Sequence, residues 1–266
     1  MKKIFISLAL MIFIFAQVSA QNTVDKDGKK QGEWIKYYDN GFKMYEGKFK
    51  DDKPVGEFTR YYENGKLKSI QIFDPTTGLA QTQLYKEDGK LVASGSYLGT
   101  KKEGDWVYYS EKGNIFFRES YKNGKRDGVS FLYDDKGNLF EKIEWSNGLK
   151  NGQHTQYFPN GKLQSEVNYE NGVRNGLCQS FFDNDKVESK GVYVNGKKEG
   201  VWIFNKADGS LEFSIEYKDG EPLNKETLAK EQQEQIKKDE ANAGKEKDPA
   251  NYISNPEEYV NGSDDK

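Results

Sequence analysis

Cysteine and histidine are nearly absent from this chain of 266 residues, which has one of each, Cys178 and His154. A single cysteine excludes an internal disulfide, so packing and strand pairing have to hold the fold. The same scarcity excludes a zinc site built from several Cys and His ligands. We therefore expect no metal, and no cofactor, because the glycines form no phosphate-binding loop.

A strong charge of one sign is also absent, since the formal net charge is −3. Residues 224–266 contain 11 acidic and 7 basic side chains, and Lys2 and Lys3 lie in the first segment, so residues 21–223 carry only about −1. A nearly neutral body offers no electrostatic footprint for DNA or RNA. We expect no nucleic-acid partner.

The one long apolar run lies at the N-terminus, in "MKKIFISLALMIFIFAQVSA". Lys2 and Lys3 precede an apolar stretch that ends in Val18-Ser19-Ala20, which is the pattern of a cleaved signal peptide. The stretch is short for a membrane span, although an uncleaved anchor helix is the alternative. The pattern predicts that residues 1–20 are removed, that no stable span remains, and that the protein is exported to the periplasm or the extracellular space.

Aromatic residues and glycine are abundant, and they recur with a period of 24 residues. Stepping by 24 from residue 32 gives seven glycines and one alanine; the position 17 residues further on is aromatic in all eight copies. Such a period indicates a repeat protein. The eight predicted units, in residues 32–223, start at Gly32, Gly56, Ala80, Gly104, Gly128, Gly152, Gly176 and Gly200.

Each unit contains two turn signals, of which Asn160-Gly161 and Asn171-Gly172 are examples. Asn-Gly supplies the positive φ angles of tight hairpin turns, and the intervening segments have the length of a strand. One unit is therefore one β-hairpin. The predicted fold class is all-β: an elongated, twisted antiparallel sheet of about eight stacked hairpins, or roughly sixteen strands.

The flanking segments lack this pattern. We expect residues 21–31 to be a short lead-in to the first unit. Residues 224–244 contain good helix formers but few apolar anchors, which predicts a short, weakly docked helix. Residues 245–266 are charged and contain Pro249 and Pro256, which predicts a disordered tail.

The two faces of the sheet follow from alternation if every hairpin loop has an even number of residues. In the fourth unit this places Trp106, Tyr108, Ile115, Phe117 and Tyr121 on one face, which is apolar. It places Phe116 and Arg118 on the other face. The third unit starts with Ala80 and follows "DPTTG", so we expect an irregular edge or a slight bend there.

Candidate catalytic residues are few. His154 and Cys178 could form a nucleophilic dyad, but both occupy the third position of their units, where other copies have Trp34 or Trp106. They also lie one unit apart, about 9–10 Å at two strand spacings. We interpret both as packing residues, assign no catalytic residue, and expect that the protein is not an enzyme.

The pattern "GxWxxYYxxG…EGxY…NG" resembles the MORN repeat, and more closely the bacterial MORN-variant repeats of proteins named as YwqK-family toxin–antitoxin antitoxins. "GEWIKYYDNGFKMYEGKF" and "GVSFLYDDKGNLFEKIEW" are two of the motifs that carry this resemblance. It covers residues 28–223. The resemblance implies an elongated sheet of hairpins with a role in scaffolding and in protein or membrane-surface contacts, and it implies no catalytic residue.

We therefore expect an exported, non-enzymatic scaffold that mediates protein–protein interaction at the cell envelope. Two alternatives remain open: a carbohydrate- or peptidoglycan-binding surface protein, and an antitoxin-like component of a toxin–antitoxin pair. Trp and Tyr are enriched where binding energy concentrates. The candidate residues for binding an envelope protein are Trp106, Tyr108, Phe117 and Tyr121.

Overall fold

The computed structural model describes residues 21–223, and all its regular structure is β-strand. The strands are β1 (Thr23–Val24), β2 (Lys30–Tyr37), β3 (Lys43–Lys50), β4 (Lys53–Tyr61), β5 (Leu67–Phe73), β6 (Leu79–Tyr85), β7 (Leu91–Leu98), β8 (Lys101–Tyr109), β9 (Ile115–Lys122), β10 (Lys125–Arg126), β11 (Gly128–Tyr133), β12 (Leu139–Ser146), β13 (Leu149–Tyr157), β14 (Leu163–Glu170), β15 (Val173–Phe181), β16 (Val187–Val194), β17 (Lys197–Asn205), β18 (Leu211–Lys218) and β19 (Glu221–Pro222).

Each strand pairs antiparallel with the next one along the chain, except that β10 and β11, which are separated only by Asp127, both pair with β9. The result is one open sheet of 19 strands. The predicted fold class, an all-β sheet of repeated hairpins, is confirmed. The predicted signal peptide (1–20), helix (224–244) and tail (245–266) lie outside the described residues.

The lead-in, residues 21–31, is partly built into the sheet. β1 pairs with the start of β2, which begins at Lys30 and so before the first predicted unit. The Asn22 side chain accepts a hydrogen bond from the Ile35 backbone N–H at 2.8 Å and donates one to the Ile35 carbonyl at 3.1 Å. It thereby satisfies backbone groups of an edge strand that would otherwise be unpaired.

Two kinds of turn alternate along the chain. The short turns have two residues, such as Asn123-Gly124, with φ of 53° and 80°. Positive φ at both positions defines a type I′ turn, whose twist matches that of the flanking strands. Six of the seven two-residue turns have this signature.

The long turns have three residues, such as 111–113. The Ser110 N–H donates to the Asn114 carbonyl, and the Gly113 N–H donates to the Ser110 carbonyl. Gly113 has a φ of 80°, so the turn is of type I followed by a left-handed glycine. In the Asn-Gly pairs of these long turns, only the glycine has a positive φ.

Because these loops are odd, the even-loop assumption of the face assignment is wrong. The register corrects for it within each hairpin: Tyr108 pairs with Phe117 and Tyr109 with Ile115, which leaves Phe116 as the extra residue of a β-bulge. Phe116 is consequently buried in the cluster of Trp106, although alternation placed it on the opposite face. Ile115, expected on the apolar face, is 39% exposed.

The first residue of the unit forms a second bulge. The starting glycines have φ between 66° and 114°, and across the short turn the register of strands shifts there, as at Gly56 between β3 and β4. Ala80 cannot adopt this conformation without strain. Its strand pairs with β5 in unbroken register, and a longer connection, residues 74–78, takes up the extra length. The third unit thus differs in its turn, while its pairing is regular.

The core is a row of side chains that crosses the sheet perpendicular to the strands, which we call the central row. It is formed by the third and sixteenth residues of each unit, which pair across neighbouring strands. Its members are Trp34, Gly47, Phe58, Gln71, Thr82, Gly95, Trp106, Glu119, Ser130, Ile143, His154, Val167, Cys178, Gly191, Trp202 and Ile215.

Large rings in the central row lie directly over glycines. A Cβ at Gly95 would be 2.3 Å from the Trp106 ring, and one at Gly191 would be 2.1 Å from the Trp202 ring. The indole N–H of Trp106 donates to the Ser96 carbonyl on the glycine strand at 3.0 Å. The glycines therefore allow an indole to lie flat on the neighbouring backbone, which a single sheet needs in order to bury it.

Gly95→Ala should lower the free energy of unfolding by about 2–3 kcal/mol, because the rigid Trp106 ring has to move to admit the methyl group. Denaturant unfolding of the variant checks this. The neighbouring Ser96→Ala, on the opposite face, is the control and should change the midpoint little. Equal midpoints for Gly95→Ala and the parent chain would contradict the close approach.

Gly137→Val should cost roughly 1–2 kcal/mol through backbone strain alone. Gly137 has a φ of 85°, and nothing lies within 4 Å of the position of its Cβ. Asn tolerates left-handed backbone, so Gly137→Asn should retain most of the stability. The comparison of the two thermal midpoints separates strain from crowding; a clash would destabilise both variants equally.

Candidate functional site

The four predicted partner-binding residues come together on one face, in and beside the largest apolar cluster. Trp106, Tyr108 and Phe117 are 0%, 1% and 1% exposed, while Tyr121 is half-buried. The Tyr108 and Phe117 rings pack with centroids 5.7 Å apart. The first three side chains are thus part of the core and present no surface to a partner in this conformation.

A buried carboxylate lies beneath these rings. Glu119, in the central row, has a fully buried side chain that accepts hydrogen bonds from the Tyr108 hydroxyl at 2.8 Å and the Arg126 Nε at 2.7 Å. The Tyr121 hydroxyl also donates to it. Burial, together with the Glu119 charge, raises the pKa of Tyr121 well above its ordinary value, so this hydroxyl stays protonated and remains a donor.

Basic side chains and aromatic rings alternate beside the central row, near the short turns, in what we call the cation–aromatic stripe. Its aromatic members are the residues that recur 17 positions after each unit start. The register pairs them with a basic residue on the next strand, as with Tyr121 and Arg126, or Trp145 and Lys150. Its basic members are Lys30, Lys102, Arg126, Lys150, Arg174 and Lys198.

Each of the six cations precedes a unit start by two residues and lies over an aromatic ring of the unit that follows. The Lys102 Nζ is 4.8 Å from the Trp106 ring centroid, and the Lys198 Nζ is 4.6 Å from that of Trp202. The remaining four cations lie between 4.7 and 5.3 Å from a ring centroid. Such cation–π contacts contribute about 0.5–1 kcal/mol each at exposed sites, and they link one hairpin to the next.

Two adjacent cations of the stripe lack an acidic counterpart. Lys150 lies 5.2 Å from the Tyr169 ring, and Arg174 donates from Nε to the Tyr169 hydroxyl at 3.3 Å and from Nη1 to the Tyr193 hydroxyl at 3.2 Å. Neither forms an ion pair with a carboxylate of residues 21–223. The segment from Trp145 to Tyr193 therefore presents positive charge framed by aromatic edges.

This stripe was missed by sequence reasoning, although a signal for it exists. Lys or Arg stands two residues before the unit start in six of eight units. The position looks like part of a solvated turn until the register shows which ring lies opposite.

His154 and Cys178 occupy packing positions of the central row on two strands that are not neighbours. Val167 pairs with both, so a whole strand separates them. The His154 Nε2 contacts the Glu141 Oε1, whereas the other oxygen of this buried carboxylate has no hydrogen-bond partner within the described part of the chain. Burial raises the pKa of the Cys178 thiol, which lowers its thiolate fraction and its reactivity.

Residues 21–223 hold no group of three His, Cys, Asp or Glu side chains placed to bind a metal ion. They also include no helix that is apolar and long enough to cross a membrane.

Glu119→Gln should destabilise the sheet by about 3 kcal/mol, because it leaves the Arg126 charge in a mostly buried site without its counter-charge. The control is Glu111→Gln, which breaks ion pairs of an exposed carboxylate with Lys86 and Lys90; exposed pairs contribute little. Urea midpoints measure both. A Glu119→Gln variant as stable as the control would contradict the assigned role of the buried pair.

The sequence profile of the MORN repeat variant matches the chain four times, at residues 54–74, 102–123, 150–171 and 174–195. Each match covers one long-turn hairpin: β4–β5, β8–β9, β13–β14 and β15–β16. No curated protein matches the chain.

Solved structures with local similarity include the GtfA/B complex bound to UDP and GlcNAc, with 14% identity, a TM-score of 0.19, and coverage of 44% of this chain and 23% of that chain. The TcdB2-TccC3-Cdc42 structure matches with 14% identity and a TM-score of 0.21, over 74% of this chain and 12% of that chain. This chain thus spans less than a quarter of the length of either. The repeated profile matches and the hairpin sheet show that the chain contains MORN-variant repeats.

Proposed function

We propose that this protein is an exported, non-enzymatic scaffold that binds a protein partner at the cell envelope through the cation–aromatic stripe. The observation that carries the proposal is the pair of cations without acidic counterparts, Lys150 and Arg174, held between Trp145, Tyr169 and Tyr193. Repeats of this family are generally interaction repeats, and the fold is that of a repeat scaffold.

The chemistry of the stripe favours an extended acidic segment as the bound element. Successive cations recur once per unit, so two strand spacings of about 4.8 Å separate them by nearly 10 Å. A carboxylate there would gain a charge-assisted contact, and the rings would cover the apolar part of the segment. The ring faces that a sugar would stack on are partly occupied by the cations themselves, which favours a protein over a glycan.

Photo-crosslinking in the native cell tests this function. A photoreactive phenylalanine analogue at Tyr169 should attach to one defined envelope protein. The same analogue at Tyr37, which is 52% exposed on the opposite face, is the matched control and should not attach to that protein. Intact mass measurement of the recovered chain tests export, with an N-terminus at Gln21 expected.

Charge reversal then tests the stripe itself. Lys150→Glu combined with Arg174→Glu should reduce the crosslink by about tenfold or more, as expected for the loss of a charge-dependent contact. Lys50→Glu combined with Lys122→Glu makes the same charge change at exposed positions away from the stripe and should leave the crosslink intact. Crosslinks only to glycan, or an equal loss in both double variants, would refute the proposal.

A further inference from the structure

The face opposite the stripe carries an exposed aliphatic patch in the last four units. Its six side chains, 36–60% exposed, lie on β13, β15, β16 and β17. They are Leu149, Val173, Leu177, Val192, Val194 and Val201. Leu177 and Val192 are direct cross-strand neighbours.

The repeat provides its own comparison for this patch. Leu177 and Val201 are the second residues of their units. The second residue of the first four units is polar or charged: Glu33, Glu57, Gln81 and Asp105. The position of Val192 is Lys48 in the first unit and Ser96 in the third. Packing within the sheet therefore does not require an aliphatic residue at these positions. In the first four units only Ile72 and Leu98 are aliphatic at positions equivalent to the patch, so the exposed aliphatic side chains are concentrated in the later units.

We propose that this patch is the contact surface of a homodimer, in which two copies pack face to face. A flat sheet face is most readily covered by another sheet, at a separation of about 10 Å. The six half-exposed side chains offer on the order of 300 Å² of apolar area. One half of a standard interface contains about 450 Å² of apolar area, and the aliphatic stems of flanking lysines supply much of the rest.

The charges at the outer flanks of the patch favour a second copy as the partner. Glu170 flanks it on β14, while Lys197 and Lys218 flank it on β17 and β18, all near the short turns. None of the three forms an ion pair within the described residues. A two-fold axis parallel to the strands places β14 of one copy opposite β17 and β18 of the other, so acidic and basic flanks meet twice. The outer flanks of the surface are thus complementary to one another.

This inference is independent of the stripe, which lies on the other face and stays accessible in the dimer. Sedimentation equilibrium of the mature full chain should show a monomer–dimer equilibrium in the micromolar range. Val192→Lys should weaken the dimer at least tenfold, because it places two like charges near the axis. Ile72→Lys changes the equivalent residue of the second unit, which is 50% exposed and outside the patch, and should leave the dimer unchanged.

A thiol experiment tests the geometry separately. Because Cys178 is the only cysteine, Cys178→Ser provides a background in which Val192→Cys is the single thiol. Mild oxidation should link Val192→Cys chains into dimers and leave Ile72→Cys chains monomeric. A monomeric parent chain at all concentrations, a dimer insensitive to Val192→Lys, or equal crosslinking at both positions would overturn the proposal. Circular dichroism melting curves confirm that each variant is folded.

Discussion

Every contact in this sheet depends on each 24-residue unit ending so that the equivalent side chains of the next unit point to the same face of the sheet. A one-residue slip would move all later side chains to the wrong face. The three-residue turns introduce such a slip, and the bulge at Phe116 and its equivalents removes it within the same hairpin. The bulge at the starting glycine likewise shifts the register between the two strands that the short turn joins. The central row can cross all the hairpins only because both corrections are local.

With the faces of the sheet fixed in this way, the central row buries large rings although the protein has only one layer. A ring that stands upright on a sheet remains exposed, whereas Trp106 and Trp202 lie over glycine backbone and are almost fully buried. The cation–aromatic stripe adds further cover, because Lys102 and Lys198 lie over the same indoles. Interactions between neighbouring hairpins thus supply the stability that one hairpin lacks.

The repeat, the hairpins and the identity of the apolar face could all be predicted from sequence, because glycine turns and recurring aromatics are strong signals. The bulges could not, since an odd loop and a compensating extra residue leave the 24-residue period unchanged. This is why Phe116 was placed on the wrong face. The same limit applied to Trp106 and Tyr108: alternation identifies their face, but only the position of Gly95, Glu119 and Lys102 around them shows that they are covered.

The separation between structural and variable positions has a consequence for how this protein can acquire partners. The central row and the stripe constrain one face, where Glu119 or Trp202 cannot change without loss of packing. On the other face, residues such as Glu57, Ile72 and Val201 project outward and are exposed, and they contribute little to contacts between hairpins. Because contacts in a repeat sheet are made only with neighbouring units, a substitution there acts locally. Aliphatic residues can therefore collect in units five to eight and form the proposed dimer surface there, while most of the same positions in the first four units are polar, with Ile72 and Leu98 as the exceptions, and the fold is unaffected.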